Sequence, residues 1–345
     1  MKGIINIPWR SEMDTSTHVA MGIGLAGLSQ LSPAVHSDPV LANAVLIGTI
    51  LGSNAPDFDF LIRIFKGKGA YVEHHRGLSH SIPAVFCWTL LLSLTVWLIF
   101  PESSITFISM WILLAVVVHI LTDITNPYGT QAGRPFTSKW LSLGFIPLFD
   151  PFIMTLHVTG VLLWVFWGHA GIVFLVLYLV IAIYAVIRCY LSRRALKIVR
   201  QAFEDDGIIT VVPTIHTQQW NFVYENEHVF ITGTVCRNQL SIIHTFPKSA
   251  FSEIVQNVIV HAEDVQHFLK NSKHVHCLAI PRGSYTEVRF FDLRFRQGDH
   301  YPYMAAVAVD FENNILSSAA GWIHHLPKLH KKLISSSSSI SRPIS

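Results

Sequence analysis

Nearly uncharged apolar runs recur through the first 190 or so positions, and they limit this chain to folds that have lipid to face. Ile82–Phe100 and Gly171–Tyr190 each come close to the roughly 20 residues that a helix needs to cross the hydrocarbon core of a bilayer. Ile105–Leu121 and Phe152–Trp167 are slightly shorter, and the tight turns PESS and GHAG tie them to those stronger neighbours as helical hairpins. His18–Leu31 and Val40–Gly52 are shorter still and rich in Gly and Ala, which suits helices packed inside a bundle through small-residue contacts. The expectation is an α-helical polytopic membrane domain of about six spans over residues 1–195. With 51% hydrophobic and only 14% charged residues, the chain is too apolar for an ordinary water-soluble enzyme.

The basic residues give the domain an orientation. Lys2, Arg10, Arg63, Lys66, Lys68, Arg76, Arg134, Lys139, Arg193, Arg194 and Lys197 fall on one side of a six-span topology, and the opposite turns carry no Lys or Arg. By the positive-inside rule both termini face the cytoplasm, together with the loops Ser53–Ser81 and Thr122–Pro151. The expected location is the cell (inner) membrane. The first residues lack the apolar core and cleavage site of a signal peptide, so no processing is expected. Four cysteines without a CxxC pair indicate neither a disulfide framework nor a thiolate metal site.

Past Arg200 the pattern changes to alternating polar and apolar residues rich in β-branched and aromatic types, as in Thr210–Ile215, His228–Gly233 and Tyr285–Phe291. One amphipathic helix is expected over Ser252–Lys270. Residues 200–332 therefore read as a small β-rich, α+β cytosolic domain, followed by a low-complexity, disordered tail at 333–345. The domain shows no basic recognition helix, so direct nucleic-acid binding is not indicated. It is expected to have a protein partner of unknown identity.

The chain carries 19 histidines, and several sit beside aspartates at the ends of the expected spans. His18 opens the first span, Asp57 and Asp59 follow the second, and His74, His75, Arg76 and His80 precede the third. His119 and Asp123 close the fourth, and Asp150 opens the fifth. All fall at the cytoplasmic ends, although the orientation rests on Lys and Arg alone. Ionisable groups beside lipid are costly unless paired or liganded, and a metal ion offsets that cost. Imidazole and carboxylate without thiolate suit a divalent metal of the Zn²⁺, Mn²⁺ or Fe²⁺ type, Zn²⁺ first, better than Mg²⁺ or Ca²⁺. His119 and Asp123 lie four apart on a helical pattern and so share a face. Asp57-Phe58-Asp59 follows Asn-Ala-Pro and reads as extended or turn-like, with both carboxylates on one side. Singly, each residue has a structural alternative: an aspartate cap, an interfacial histidine, or, for Asp150 before Pro151, an N-cap. His157, deeper in its span, reads as a helix-packing contact.

These residues resemble a known family. His18, the Asn54–Asp59 run, the His75–Ser81 run and the His119–Gly129 run, in that order across residues 13–190, are similar to the LexA-regulated, inner-membrane, metal-dependent hydrolases, a bacterial group of unsettled substrate. The resemblance implies His18, Asp57, Asp59, His75, His80, His119 and Asp123 as metal ligands or catalytic groups. A distant similarity of that family to zinc-dependent phospholipases C and single-strand nucleases implies phosphodiester hydrolysis. His74 has no counterpart in the family motifs, and Phe60 stands where the family often has a polar residue. The C-terminal domain lies outside the resemblance.

The expectation is thus a membrane-bound, metal-dependent hydrolase acting through a metal-activated water on a phosphodiester, phospholipid or other membrane-surface substrate. Asp59 or Asp123 would act as general base, and Arg76 would hold an anionic group. The competing reading is a membrane-anchored regulator, such as a negative regulator of transcription, with a structural or sensory metal site. A transporter would put ionisable groups at the bilayer midplane instead.

Overall fold

A computed structural model describes residues 15–60, 76–203, 206–248, 251–325 and 333, and the side chains of positions 59 and 60 lie outside that description. The N-terminal part is a helical bundle: α1 (Thr15–Ser29), α2 (Pro33–His36), α3 (Pro39–Gly52), α4 (Ile82–Ile99), α5 (Ile105–Thr125), α6 (Pro151–Trp167) and α7 (Ala170–Ala202). Among the described residues, α4, α5 and α7 are long and apolar enough to cross a membrane, whereas α3 and α6 are apolar but shorter. The expected apolar helices therefore form, and three of them have spanning length.

Local chemistry sets the helix starts. Asp38 caps α3 by accepting from the Val40 and Leu41 amides, Asp150 caps α6 by accepting from Phe152 and Ile153, and a proline follows each cap. The second oxygen of Asp150 accepts from the Tyr184 hydroxyl at 2.8 Å, so Asp150 takes its structural role. Close approach sets the packing: a Cβ on Gly22 would stand 2.7 Å from the Ile50 Cα, so α1 and α3 touch at a residue without a side chain. Val45, Ile108, Ile112 and Val116 fill the core between α3 and α5.

Helix α7 has 33 residues and is about 50 Å long at 1.5 Å per residue, well beyond the roughly 30 Å hydrocarbon thickness. Its C-terminal part carries the first of two four-stranded antiparallel meanders, β1 (Ile208–Pro213), β2 (Gln219–Glu225), β3 (Val229–Cys236) and β4 (Gln239–Pro247). Ala195 and Val199 pack there with Trp220, Phe222, Tyr224 and Phe145. Arg188, fully buried, ties the joint by donating to the carbonyls of Phe145 at 3.0 Å and Thr214 at 3.1 Å while lying over the Trp220 ring.

The second sheet, β5 (Val275–Pro281), β6 (Thr286–Asp292), β7 (Tyr303–Val309) and β8 (Ile315–Trp322), packs against α8 (Glu253–His261) and α9 (Glu263–Asn271). The single helix expected over Ser252–Lys270 is thus two. Ala262 is extended (φ −92°, ψ 104°) and buried at the corner, which lets Val255 and Val258 on one side and Val265 and Phe268 on the other all reach the sheet. The expected β-rich region exists and contains two separate sheets.

Candidate metal centre

Four side chains meet at one end of the bundle. Asp57 comes from a 3₁₀ turn (Ala55–Phe60) after α3, His80 from a 3₁₀ turn (Leu78–His80) before α4, and His119 and Asp123 from the last turns of α5. One ligand atom from each lies within 4.8 Å of all the others. The two imidazole Nε2 atoms are 3.2 Å apart. Asp123 Oδ2 is 3.1 Å from His80 and 3.4 Å from His119, and Asp57 Oδ1 is 3.6 and 3.7 Å from the same nitrogens. A tetrahedral ion with bonds of 2.0–2.1 Å has ligand–ligand edges of about 3.3 Å, close to these separations.

Hydrogen bonding also fits a cation. His119 Nδ1 donates to the Ser53 carbonyl at 2.6 Å, which leaves Nε2 as a lone pair facing the cluster. His80 Nδ1 pairs with the Ser79 hydroxyl at 3.0 Å. Asp57 Oδ1 is buried with no hydrogen-bond partner, and two carboxylates and two imidazoles so close together need positive charge between them. Burial pulls the His80 imidazole below its ordinary pKa, which favours the neutral, metal-binding form.

Arg76 stands behind Asp123. Its guanidinium donates to Asp123 Oδ1 at 3.1 Å, to Asn126 Oδ1 at 3.0 Å and to the Gly129 carbonyl at 3.3 Å. It is 1% exposed and bonded to protein groups, because an arginine buried beside a carboxylate must pair with it. Its φ of 62° is an uncommon backbone state for a non-glycine residue. Asp123 in turn has one oxygen on Arg76 and the other on the histidines, the arrangement of a ligand more than of a free general base.

His18 stacks on His119 with ring centroids 4.0 Å apart, and its Nε2 is 3.7 Å from Asp123 Oδ1, so it borders the four without joining them. Of the extended and turn-like forms expected for Asp57–Asp59, the segment takes the turn-like one, a 3₁₀ turn, in which residues i and i+3, not i and i+2, eclipse. The readings of Asp59 as ligand or base, and of His75 as ligand, fall outside the described side chains.

Sequence reasoning missed Asn126 and Tyr128. Asn126 Oδ1 accepts from the Tyr128 and Gly129 amides as well as from Arg76, and so shapes the turn beneath the cluster. Tyr128 leaves the bundle and inserts between Phe295, at 4.5 Å, and Tyr303, at 5.6 Å, in the core of the second sheet. Arg76 lies 5.7 Å from the same ring, and Arg294 donates to the Pro127 carbonyl at 3.3 Å. Burial raises the Tyr128 phenol well above its usual pKa. The available signal was the Asn-Pro-Tyr-Gly run three residues past Asp123, a turn sequence with an aromatic in it.

The model of the YdjM inner membrane protein family matches residues 13–195, which include every member of this cluster. The chain belongs to that family. A second family model, the YfhP C-terminal alpha/beta plait domain, matches residues 253–333, the region of α8, α9 and the second sheet. The uncharacterized protein YfhP of Bacillus subtilis (strain 168) is 38% identical over 323 residues, covering 93% of this chain and 98% of the relative. No solved structure matches the chain. Membership in the YdjM family and the apolar helices support a membrane location, and the His/Asp cluster could bind a metal ion there.

Proposed function

We propose that this YdjM-family protein is a membrane-bound, metal-dependent hydrolase acting on a phosphodiester or other membrane-surface substrate, with Asp57, His80, His119 and Asp123 holding a divalent metal of the zinc type. The observation that carries this reading is the cluster itself: two buried imidazoles and two carboxylates at near-tetrahedral spacing, with an orphaned carboxylate oxygen among them. A divalent ion at this place supplies a coordinated water with its pKa lowered toward neutrality and polarises a phosphoryl or acyl oxygen. The protein's part is orientation. Ser53 fixes the His119 ring, and Arg76 with Asn126 fixes Asp123. The reading includes six spans with both termini cytoplasmic, which sets the cluster at the inner headgroup level. Mass spectrometry of the detergent-purified protein, supplied with Zn²⁺, Mn²⁺ and Fe²⁺, tests it. One or two equivalents in the wild type that are lost in H119A/D123A, together with metal-dependent phosphodiester turnover, are expected; metal-free wild type would overturn it.

One observation favours the regulator reading as a second choice: Tyr128 joins the cluster to a separate sheet with a core of its own. Under that reading, metal binding persists without turnover, and the second sheet carries the output to a protein partner.

A further inference from the structure

A cavity of about 270 Å³ lies where the C-terminal part of α7 meets the first sheet, lined by Leu191, Arg194 and Ile198 from the helix and by Gln218, Trp220 and Arg237 from the sheet. Its level follows from helix geometry and one buried side chain. At 1.5 Å per residue from Ala170, Arg188 stands about 27 Å along α7, within the roughly 30 Å of hydrocarbon that the helix can cross. Leu191 and Arg194 stand about 32 and 36 Å along, in the headgroup layer. Arg188 donates to the Thr214 and His216 carbonyls, so the β1–β2 turn comes down to the edge of the hydrocarbon, and Ile215 in that turn is 45% exposed. The β3–β4 turn lies at the same end of the sheet, since Gln219 pairs with Cys236 and the Arg237 amide donates to the Gln218 carbonyl at 3.2 Å. The cavity therefore sits at headgroup level, between a helix and two turns.

The charges say what the cavity takes. Leu191, Arg194, Ala195 and Ile198 follow the i, i+3, i+4, i+7 spacing and share the face of α7 that meets the sheet, whereas Arg193, Lys197 and Arg200 do not line the cavity. Arg237 comes from the tip of the β3–β4 hairpin, where it has φ 47° and Asn238 has φ 71°. A positive φ is an uncommon and costly state for an arginine, of the kind that collects at ligand clamps. No carboxylate lines the cavity, and neither guanidinium has an ion pair or side-chain hydrogen bond among the described residues. Two such groups around one small space repel each other and favour an anion between them, and their planar forks match phosphate. At about 270 Å³ the cavity is smaller than the roughly 300–1,000 Å³ of sites for drug-sized molecules, so it suits a headgroup and not a whole lipid.

We propose that this cavity binds the phosphodiester headgroup of an anionic membrane lipid, with Arg194 and Arg237 holding the phosphate from the helix and from the hairpin, and Gln218 and Asn238 bonding to the headgroup around it. The site is separate from the metal cluster, none of whose members lines it, and it does not rest on the hydrolase reading. Its chemistry is that of a phosphate ester, and its level in the bilayer names the lipid as the source. An anionic leaflet then clamps the first sheet against α7.

The test is native mass spectrometry of the full-length protein in detergent, titrated with dioctanoyl phosphatidylglycerol or dioctanoyl phosphatidylcholine. The wild type is expected to hold one phosphatidylglycerol at least tenfold more tightly than phosphatidylcholine. R194Q/R237Q is expected to bring that preference below twofold, and R237Q alone, at an exposed turn, to lower it severalfold, with unchanged elution in size-exclusion chromatography as the check on folding. R193Q/R200Q removes the same charge from the same helix outside the cavity and is expected to keep the preference. H119A/D123A is expected to keep it too, whether or not the protein is a hydrolase. Equal affinity for the two lipids, undiminished preference in R194Q/R237Q, or an equal loss in R193Q/R200Q overturns the proposal, the last by reducing the effect to general surface charge. Loss of binding in H119A/D123A would move the lipid to the metal cluster and overturn the separate site. Glycerol phosphate is expected to displace the lipid only at a hundredfold higher concentration; displacement at equal concentration would make the ligand a free phosphate ester and overturn the lipid as its source.

Discussion

Asp123 is the residue on which the cluster turns, since Arg76 holds one oxygen and the two histidines face the other. Partners of that kind, one layer behind the ligands, typically account for 10–100-fold in metal affinity. R76M is expected to weaken metal binding by that factor in a chelator competition, and R76K to restore only part of it, because an ammonium does not span Asp123, Asn126 and Gly129 together. An R76M protein with wild-type affinity would reduce Arg76 to a charge that sets topology. Much of this centre was legible in the sequence. His119 and Asp123 share a helix face by spacing, Asp57 belongs to a closely spaced aspartate pair, and His80 closes a run of three histidines and an arginine in seven residues. The Ser53 carbonyl was not legible, because every residue has a carbonyl and only the fold selects one. The pairing of Arg76 with Asp123 was not legible for a related reason: sequence gives its charge but not its burial.

At the level of elements, the small-residue faces explain why the shorter helices stay in the bundle. G22L forces a side chain into the backbone of α3 and is expected to lower the yield of folded, detergent-stable protein sharply, measured by size-exclusion chromatography, whereas a substitution at exposed Leu98 is expected to leave it unchanged. Helix α7 was read as ending near Tyr190, where hydropathy falls, yet it continues to Ala202 because Ala195 and Val199 find the first sheet to bury them. Strand patterning could not separate the two sheets, since alternation marks a half-buried strand without naming its neighbours. Nor could it place Tyr128 in a core built by residues far along the chain. Y128A removes an aromatic from that core at a cost of about 3–5 kcal/mol, by comparison with other aromatic truncations. Faster hydrogen exchange in α9 and β7, with weaker metal binding, is the expected result; unchanged exchange would mean that the ring is peripheral.

Across the whole molecule, histidines sit where the two sheets meet. His274 Nδ1 lies 2.5 Å from Glu225 Oε2 and its Nε2 2.6 Å from the Thr210 hydroxyl, and His276 stacks on Phe246. Burial holds both imidazoles below their ordinary pKa of about 6.5, only partly opposed at His274 by Glu225. The unfolded chain then binds more protons than the folded one, so stability is fully present above about pH 6.5 and falls as pH drops through the folded-state values. Tryptophan fluorescence melts from pH 7.5 to 5.5 are expected to show a falling midpoint, with a shallower fall in H276F. An equal slope in both proteins would place the pH dependence elsewhere.

The anchoring of Tyr128 also orders the making of the protein in time. Pro127 and the Arg294 that binds its carbonyl are 167 residues apart, about 8–30 s of synthesis at 5–20 residues per second. The helices can enter the membrane during that interval, but the turn that steadies Arg76 behind Asp123 has no socket until the last sheet emerges. Metal loading would then favour complete chains, and a ribosome-stalled product ending before Phe295 is expected to carry less metal than the released protein.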